Sequence, residues 1–112
     1  MIRIDIFHES GAIRGMEITG HADYAEYGQD IVCAAVSSQV TSVENSLERL
    51  LGIQCDLEVN KKDGGYLKMM LPDISDTRLH QDAQLLLRHL AYAYAVLEEN
   101  YPEYIQIKTI SQ

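Results

Sequence analysis

A histidine and a cysteine twelve residues apart are the side chains of this sequence best suited to covalent chemistry. They are His21 and Cys33, in the stretch GHADYAEYGQDIVCAAVS, residues 20–37. A cysteine attacks as the thiolate, and its ordinary pKa of about 8.5 must be lowered by a helix N-terminus or a nearby cation for much thiolate to exist at neutral pH. Histidine can supply that charge or act as the base. The pair could therefore be the nucleophile and base of an acyl-transfer site.

The same residues also fit simpler roles. A cysteine early in a helix is common as a small buried hydrophobe, and a separation of twelve follows no general rule for catalytic pairs. The segment between them favours a site, because Gly20 and Gly28 bracket the polar run ADYAEY, a pattern typical of a mobile loop that closes over a substrate. A redox sensor at Cys33 is a third interpretation.

The elements around the pair begin with a predicted hairpin that carries the histidine. Apolar residues at every second position of 2–7 indicate a strand with one buried face. Residues 9–11, Glu-Ser-Gly, predict a turn, and residues 13–19 predict the returning strand, with Gly15 as the candidate position of a bulge. His21 then follows the end of this second strand.

The cysteine falls in a predicted helix over residues 31–51, where apolar residues recur at steps of three and four. Asp30 suits its N-cap and Gly52 its C-terminal stop. With Asp30 as the N-cap, Cys33 is the third helical residue, where backbone N–H groups are unpaired and the helix dipole favours negative charge. Those N–H groups could also stabilise the oxyanion of an acyl-transfer intermediate.

Two polar residues flank the cysteine on this helix. One carboxylate oxygen of Asp30 could cap the helix while the other orients the His21 ring, although the charge would also tend to raise the thiol pKa. Capping is the role that we expect of Asp30. Ser37 lies one turn beyond Cys33 on the same face, near enough to form a hydrogen bond with the sulfur or a substrate.

The second half of the chain repeats a hairpin and a helix. Residues 55–59 and 67–71 alternate as strands around the turn 62–65, Lys-Asp-Gly-Gly. A second helix, capped by Ser75 or Asp76, ends before Asn100 and Pro102, and a last strand covers 104–110. The buried stripe of that helix is predicted to be Leu79, Ala83, Leu86, Leu90, Ala93 and Leu97. The order ββαββαβ predicts a single α+β domain over 1–112, with a mostly antiparallel sheet and two helices packed on it.

Composition limits the function classes. The formal net charge of −8, from 17 acidic and 9 basic residues, disfavours direct nucleic-acid binding and fits a basic protein partner or merely solubility. The sequence shows no membrane span and no signal peptide, so we expect a cytoplasmic protein whose two cysteines are reduced. We predict no metal and no cofactor, because His8, His80 and His89 have no partner at ligand spacing.

Two further groups of residues allow more than one role. Four tyrosines crowd the end of the second helix and the last strand: Tyr92, Tyr94, Tyr101 and Tyr104. They could form a dimer contact, since tyrosine suits half-wet surfaces, or pack in the core and its rim. Cys55 falls on the same side of its predicted strand as Leu57 and Val59, which we predict to face inward, and this indicates a packing role.

The GHA motif at residues 20–22, followed by G-x-D-I-V-C-A-A-V-S from Gly28 to Ser37, resembles the signature of the ribosomal-processing cysteine protease family, Prp. The resemblance implies a cysteine endopeptidase in which His21 and Cys33 are catalytic, with Asp30 and Ser37 supporting them. It also implies a substrate loop, whose matching residues are Gly20, Ala22, Asp23, Tyr24, Tyr27 and Gly28.

The resemblance further implies a small homodimer that removes the N-terminal extension of large-subunit ribosomal protein twenty-seven during ribosome assembly. A basic substrate would be drawn to the acidic chain, which speeds association more than it tightens binding. The rival interpretation is a noncatalytic assembly factor that binds a basic ribosomal protein through its acidic surface. The two differ in whether Cys33 is needed for activity.

Overall fold

The computed structural model describes residues 1–21, 27–62 and 64–112, and for residues 27–29 it describes the backbone. The elements are β1 (Ile2–Glu9), β2 (Ala12–Thr19), α1 (Tyr27–Leu51), β3 (Asp56–Asn60), β4 (Tyr66–Met70), α2 (Thr77–Asn100) and β5 (Ile105–Ser111). The predicted α+β class and ββαββαβ order are confirmed.

The strands form a sheet in the order β3-β4-β2-β1-β5. Three of the four pairings are antiparallel, and β5 runs parallel to β1. Alternate residues of the central strands are fully buried, as Ile2, Ile4 and Ile18 illustrate, whereas their neighbours Arg3 and Asp5 lie on the other face. The period-two pattern therefore determines which face of the sheet is apolar and packs against the helices.

The predicted bulge occurs beside Gly15. Phe7 pairs with Gly15 but His8 pairs with Ile13, so Arg14 is the extra residue on β2. Gly15 itself lies against β4, where a Cβ would collide with the carbonyl oxygen of Met69. The absent side chain thus allows β2 and β4 to approach each other.

Helix α1 begins earlier than its sequence predicts. It starts at Tyr27, so Asp30 lies in its first turn and the prediction that Asp30 is the N-cap is wrong. An acidic residue is favoured by the helix dipole throughout the first turn as well as at the cap, and the sequence pattern did not separate these positions. Gly52 ends the helix as predicted, with a φ of 67° and its N–H donated to the carbonyl of Glu48 at 2.9 Å.

Helix α2 is capped by Asp76, whose carboxylate accepts the N–H of Leu79 at 2.8 Å. Its buried residues are Ala83, Leu87, Leu90 and Tyr94. The predicted stripe was right at Ala83 and Leu90 but wrong to prefer Leu86 and Ala93, which are half-buried. The true stripe is rotated because the Tyr94 hydroxyl finds a partner inside, donating to the carbonyl of Val36 on α1 at 2.8 Å.

A side-chain amide holds α2 against the sheet. Gln84 accepts the N–H of Ile13 and donates to its carbonyl, both at 2.8 Å. These bonds satisfy the backbone of β2 at its bulge, where the strand pairing is interrupted. The packing of α2 on the sheet is therefore fixed by polar contacts as well as by the apolar core.

Candidate active site

His21 lies immediately after β2, where the end of the strand is held in place on two sides. The N–H of Gly20 donates to the carbonyl of Gly65 at 3.0 Å. The φ of Gly20 is 81°, and a Cβ there would lie 2.6 Å from the carbonyl oxygen of Met1. Only glycine suits both the conformation and the space. The next side chain, His21, is 9% exposed.

Cys33 is fully buried on α1 and faces the end of β2. Its Sγ lies 3.7 Å from the carbonyl oxygen of Gly20, to which the thiol donates a hydrogen bond. This contact brings the sulfur against the backbone that carries His21, although the two residues are on different elements. The contact joins the end of β2 to α1, and the pairing of the two side chains as nucleophile and base stays a prediction.

The helix start changes how the thiol can be activated. Since α1 begins at Tyr27, Cys33 is its seventh residue and lies in the second turn. The prediction that the Cys33 N–H is among the unpaired amides is therefore wrong, because those amides belong to the first turn. The dipole also acts mainly within the first turn. Activation by the helix alone is weaker than predicted, which gives more weight to His21.

Burial lowers the pKa of His21 from its ordinary value of 6.5. A lowered pKa favours the neutral imidazole at neutral pH, and neutral imidazole can accept a proton. Its Nδ1 is buried and has no hydrogen-bond partner within the described parts of the chain. The same holds for Oδ1 of Asp30, so these two atoms are not bonded to each other.

A groove opens beside the pair, between α1 and the β3–β4 hairpin. Its volume is about 310 Å³, and it is lined by His21 at one end, by Ser37 and Glu44 on α1, and by Leu57 and Val59 on β3. The structure thus places two of the predicted site residues, His21 and Ser37, on one surface, with Cys33 buried next to them. The β3 side of this groove was missed by the sequence analysis, which treated Leu57 and Val59 as inward residues.

The predicted substrate loop is only partly described. Ala22, Asp23 and Tyr24 lie outside the described residues. Tyr27 and Gly28 belong to α1 rather than to a loop, so the predicted loop was too long at its C-terminal end. Gly28 was taken to bracket a loop, yet glycine is tolerated in a first helical turn.

The other predicted chemistry can be assessed among the described residues. Cys33 and Cys55 are not joined in a disulfide, and burial together with Glu44 raises the pKa of Cys55 to about 11, so its thiol stays protonated. Within those residues there is no cluster of three or more His, Cys, Asp or Glu that could hold a metal ion. Neither α1 nor α2, as far as they are described, could cross a membrane.

A buried thiol in contact with the backbone that precedes a buried histidine, and an open groove lined by that histidine, define a candidate cysteine hydrolase. Comparison with known proteins identifies the class. The model of a family described as "Cysteine protease Prp" matches residues 1–106. The chain therefore belongs to the Prp family of cysteine proteases, and it is an enzyme that acts on peptide bonds.

Individual relatives agree with this assignment. The ribosomal processing cysteine protease Prp of Bacillus subtilis is 35% identical over 102 residues, 91% of this chain and 89% of that protein. The crystal structure of SMU.848 from Streptococcus mutans has a TM-score of 0.91 at 36% identity, covering 100% and 96% of the two chains. The Prp of Staphylococcus aureus, solved in complex with a substrate peptide, has a TM-score of 0.84 at 29% identity, covering 97% and 99%.

Proposed function

We propose that this protease removes the N-terminal extension of large-subunit ribosomal protein twenty-seven, with Cys33 as nucleophile and His21 as base and acid. The proposal is supported by the family and by relatives named as ribosomal processing proteases. The observation that carries the catalytic assignment is the 3.7 Å contact between Cys33 Sγ and the carbonyl of Gly20, next to His21.

The chemistry proceeds in two stages. His21 takes the thiol proton as Cys33 Sγ attacks the carbonyl carbon of the scissile bond, and a tetrahedral oxyanion forms. The intermediate collapses as the C–N bond breaks, and His21 gives its proton to the leaving amine. A water, deprotonated by His21, then attacks the thioester and releases the new carboxylate together with the restored thiol.

The burial of His21 supports its role as a base rather than as a permanent cation. Its lowered pKa keeps the ring neutral at the start of the reaction. Ser37 lines the same groove, and we assign it a hydrogen bond to the bound peptide. Cys33 is fully buried before reaction, so peptide binding has to open the site above its sulfur.

The direct test is incubation of the extended ribosomal protein with the reduced enzyme, followed by intact-mass spectrometry. We expect a shortened protein, and we expect none with Cys33→Ala or His21→Ala. Cys55→Ser is the matched control, since Cys55 does not line the groove that contains His21 and its thiol is protonated. An uncut substrate with the intact enzyme would contradict the proposal for that protein.

We also propose that the enzyme is a homodimer that associates through α2. Leu85, Tyr92 and Val96 follow one outer side of this helix and are 61%, 71% and 54% exposed. Of the four tyrosines, Tyr92 fits a dimer contact, whereas Tyr94 is a core residue. Light scattering should give twice the chain mass for the intact protein and a monomer for the double variant Tyr92→Asp/Val96→Asp. A monomeric intact protein would contradict this interface.

A further inference from the structure

The groove beside His21 contains an acidic residue that the cleavage chemistry does not use. The α1–β3 groove, as we call it, has Val40 and Glu44 on its α1 wall and Leu57 and Val59 on its β3 wall. His21 lies in its lining, so the groove leads directly to the candidate active site.

The β3 wall leaves apolar surface without a covering element. Leu57 and Val59 are 43% and 51% exposed, although their partners on β4, Met69 and Leu67, are buried. They lie on the helix-facing side of the sheet, beyond the part that α1 covers. Because β3 is the terminal strand of the sheet, its outer edge is also unpaired within the described residues. Apolar side chains of an extended peptide fit such a surface.

Glu44 gives the groove a charge at a defined distance from the nucleophile. It lies eleven residues after Cys33 on one continuous helix, which corresponds to about 16 Å along the axis. An extended peptide covers that distance in about five residues. The glutamate is half-buried and forms no ion pair within 4 Å among the described residues, Lys61 across the groove included.

We propose that Glu44 is a specificity-determining residue that binds a lysine or arginine of the substrate about five positions from the scissile bond. The proposal rests on the proposed protease function and assigns the α1–β3 groove to the substrate peptide. A carboxylate with no ion pair within 4 Å in the described parts of the chain, beside apolar surface, favours a peptide that combines apolar residues with one basic residue at that distance. The carboxylate of Glu44 would also repel an acidic substrate residue at that position.

The test is a peptide series in which lysine, alanine or glutamate is placed in turn at each position from three to six residues away, on both sides of the scissile bond. For the intact enzyme, kcat/KM should be about two- to fivefold higher with lysine than with alanine at one position near the fifth, because a partly exposed ion pair is worth that much. Glu44→Gln should abolish this preference, and Glu44→Lys should invert it in favour of glutamate. Glu48→Gln, an exposed change one turn further along α1 and outside the groove, should leave it intact.

Binding to the Cys33→Ala protein separates this proposal from the cleavage proposal. Fluorescence anisotropy with the same peptides should show the same lysine preference without any turnover. Lysine-selective binding without cleavage by the intact enzyme would overturn the protease assignment for these peptides and keep the role of Glu44. The ratio of kcat/KM for the lysine and glutamate peptides could also be the same in the intact enzyme, in Glu44→Gln and in Glu44→Lys. That result would overturn the role of Glu44 alone.

Discussion

At the scale of single residues, the proposed site consists of two side chains on different segments, and the sulfur of Cys33 contacts the backbone of Gly20, next to His21. The sequence predicted both, because a histidine at a strand end and a cysteine near a helix start are chemically distinctive. It placed the start of α1 several residues too late. It therefore overestimated how far the helix dipole lowers the pKa of the Cys33 thiol. The proposed activation of Cys33 therefore depends more on His21 than the sequence suggested.

The two thiols should differ strongly in reactivity. With its pKa raised to about 11, Cys55 is ionised to only about one part in ten thousand at pH 7. We expect iodoacetamide to modify Cys33 at least roughly tenfold faster than Cys55. The rate at Cys33 should fall in His21→Ala, as measured by peptide mass spectrometry. Equal rates at the two cysteines in the intact protein would contradict a Cys33 thiol that is both activated and accessible to the reagent.

The burial of His21 predicts where activity is lost in acid. Protonation of the imidazole removes the base, so kcat/KM should fall as the pH drops through the His21 pKa, which lies below 6.5. Activity should therefore be more than half of its maximum at pH 6.5 and reach half-maximum at a lower pH. A pH series with a peptide substrate measures this directly. An acid limb centred above pH 6.5 would mean that the imidazole is not the buried neutral base described above.

The same shift affects stability. Because burial lowers the His21 pKa, the unfolded chain binds this proton more readily than the folded chain, and the stability contributed by neutral His21 is lost as the pH falls below 6.5. His21→Gln should therefore show a weaker decline in the free energy of unfolding over that range. Urea titrations at several pH values, with His89→Gln as the exposed control, would detect the difference.

At the scale of elements, the periodicities of α1 and β1 predicted their buried faces, because each element buries one stripe; the exception is Leu50, which the α1 periodicity includes but which is 73% exposed. The α2 stripe was misjudged at Tyr94, whose burial depends on a carbonyl partner on another helix that sequence alone does not reveal. Leu57 and Val59 were misjudged for the opposite reason. Their alternation is that of a buried strand face, but β3 ends the sheet and α1 does not extend over it.

The link between the helices is testable at Tyr94. Tyr94→Phe removes the hydrogen bond to the carbonyl of Val36 while keeping the buried ring, so we expect a loss of about 1 kcal/mol in the free energy of unfolding. Tyr92→Phe makes the same chemical change on the outer side of α2 that we assign to the dimer contact; because the ring is retained, the effect should be within about 0.5 kcal/mol. Urea denaturation of both variants provides the comparison. Equal losses would show that the Tyr94 hydroxyl contributes no net stability.

At the scale of the whole molecule, the negative charge complements the basic substrate that we propose. A net charge of −8 should speed encounter with a basic protein. Raising the ionic strength from about 0.05 to about 0.5 M should therefore lower kcat/KM for such a substrate by roughly three- to tenfold. A short uncharged peptide with the same scissile bond should respond much less. Equal salt responses would remove electrostatic attraction from the explanation.

The central claim, that Cys33 is the nucleophile of this protease, is tested most directly by comparing modification with activity. In Cys55→Ser protein, Cys33 is the remaining cysteine, so alkylation can be followed by intact mass while cleavage is measured on the same samples. The residual activity should fall in proportion to the fraction of Cys33 modified and reach zero when modification is complete. Full alkylation of Cys33 with cleavage retained would contradict the account.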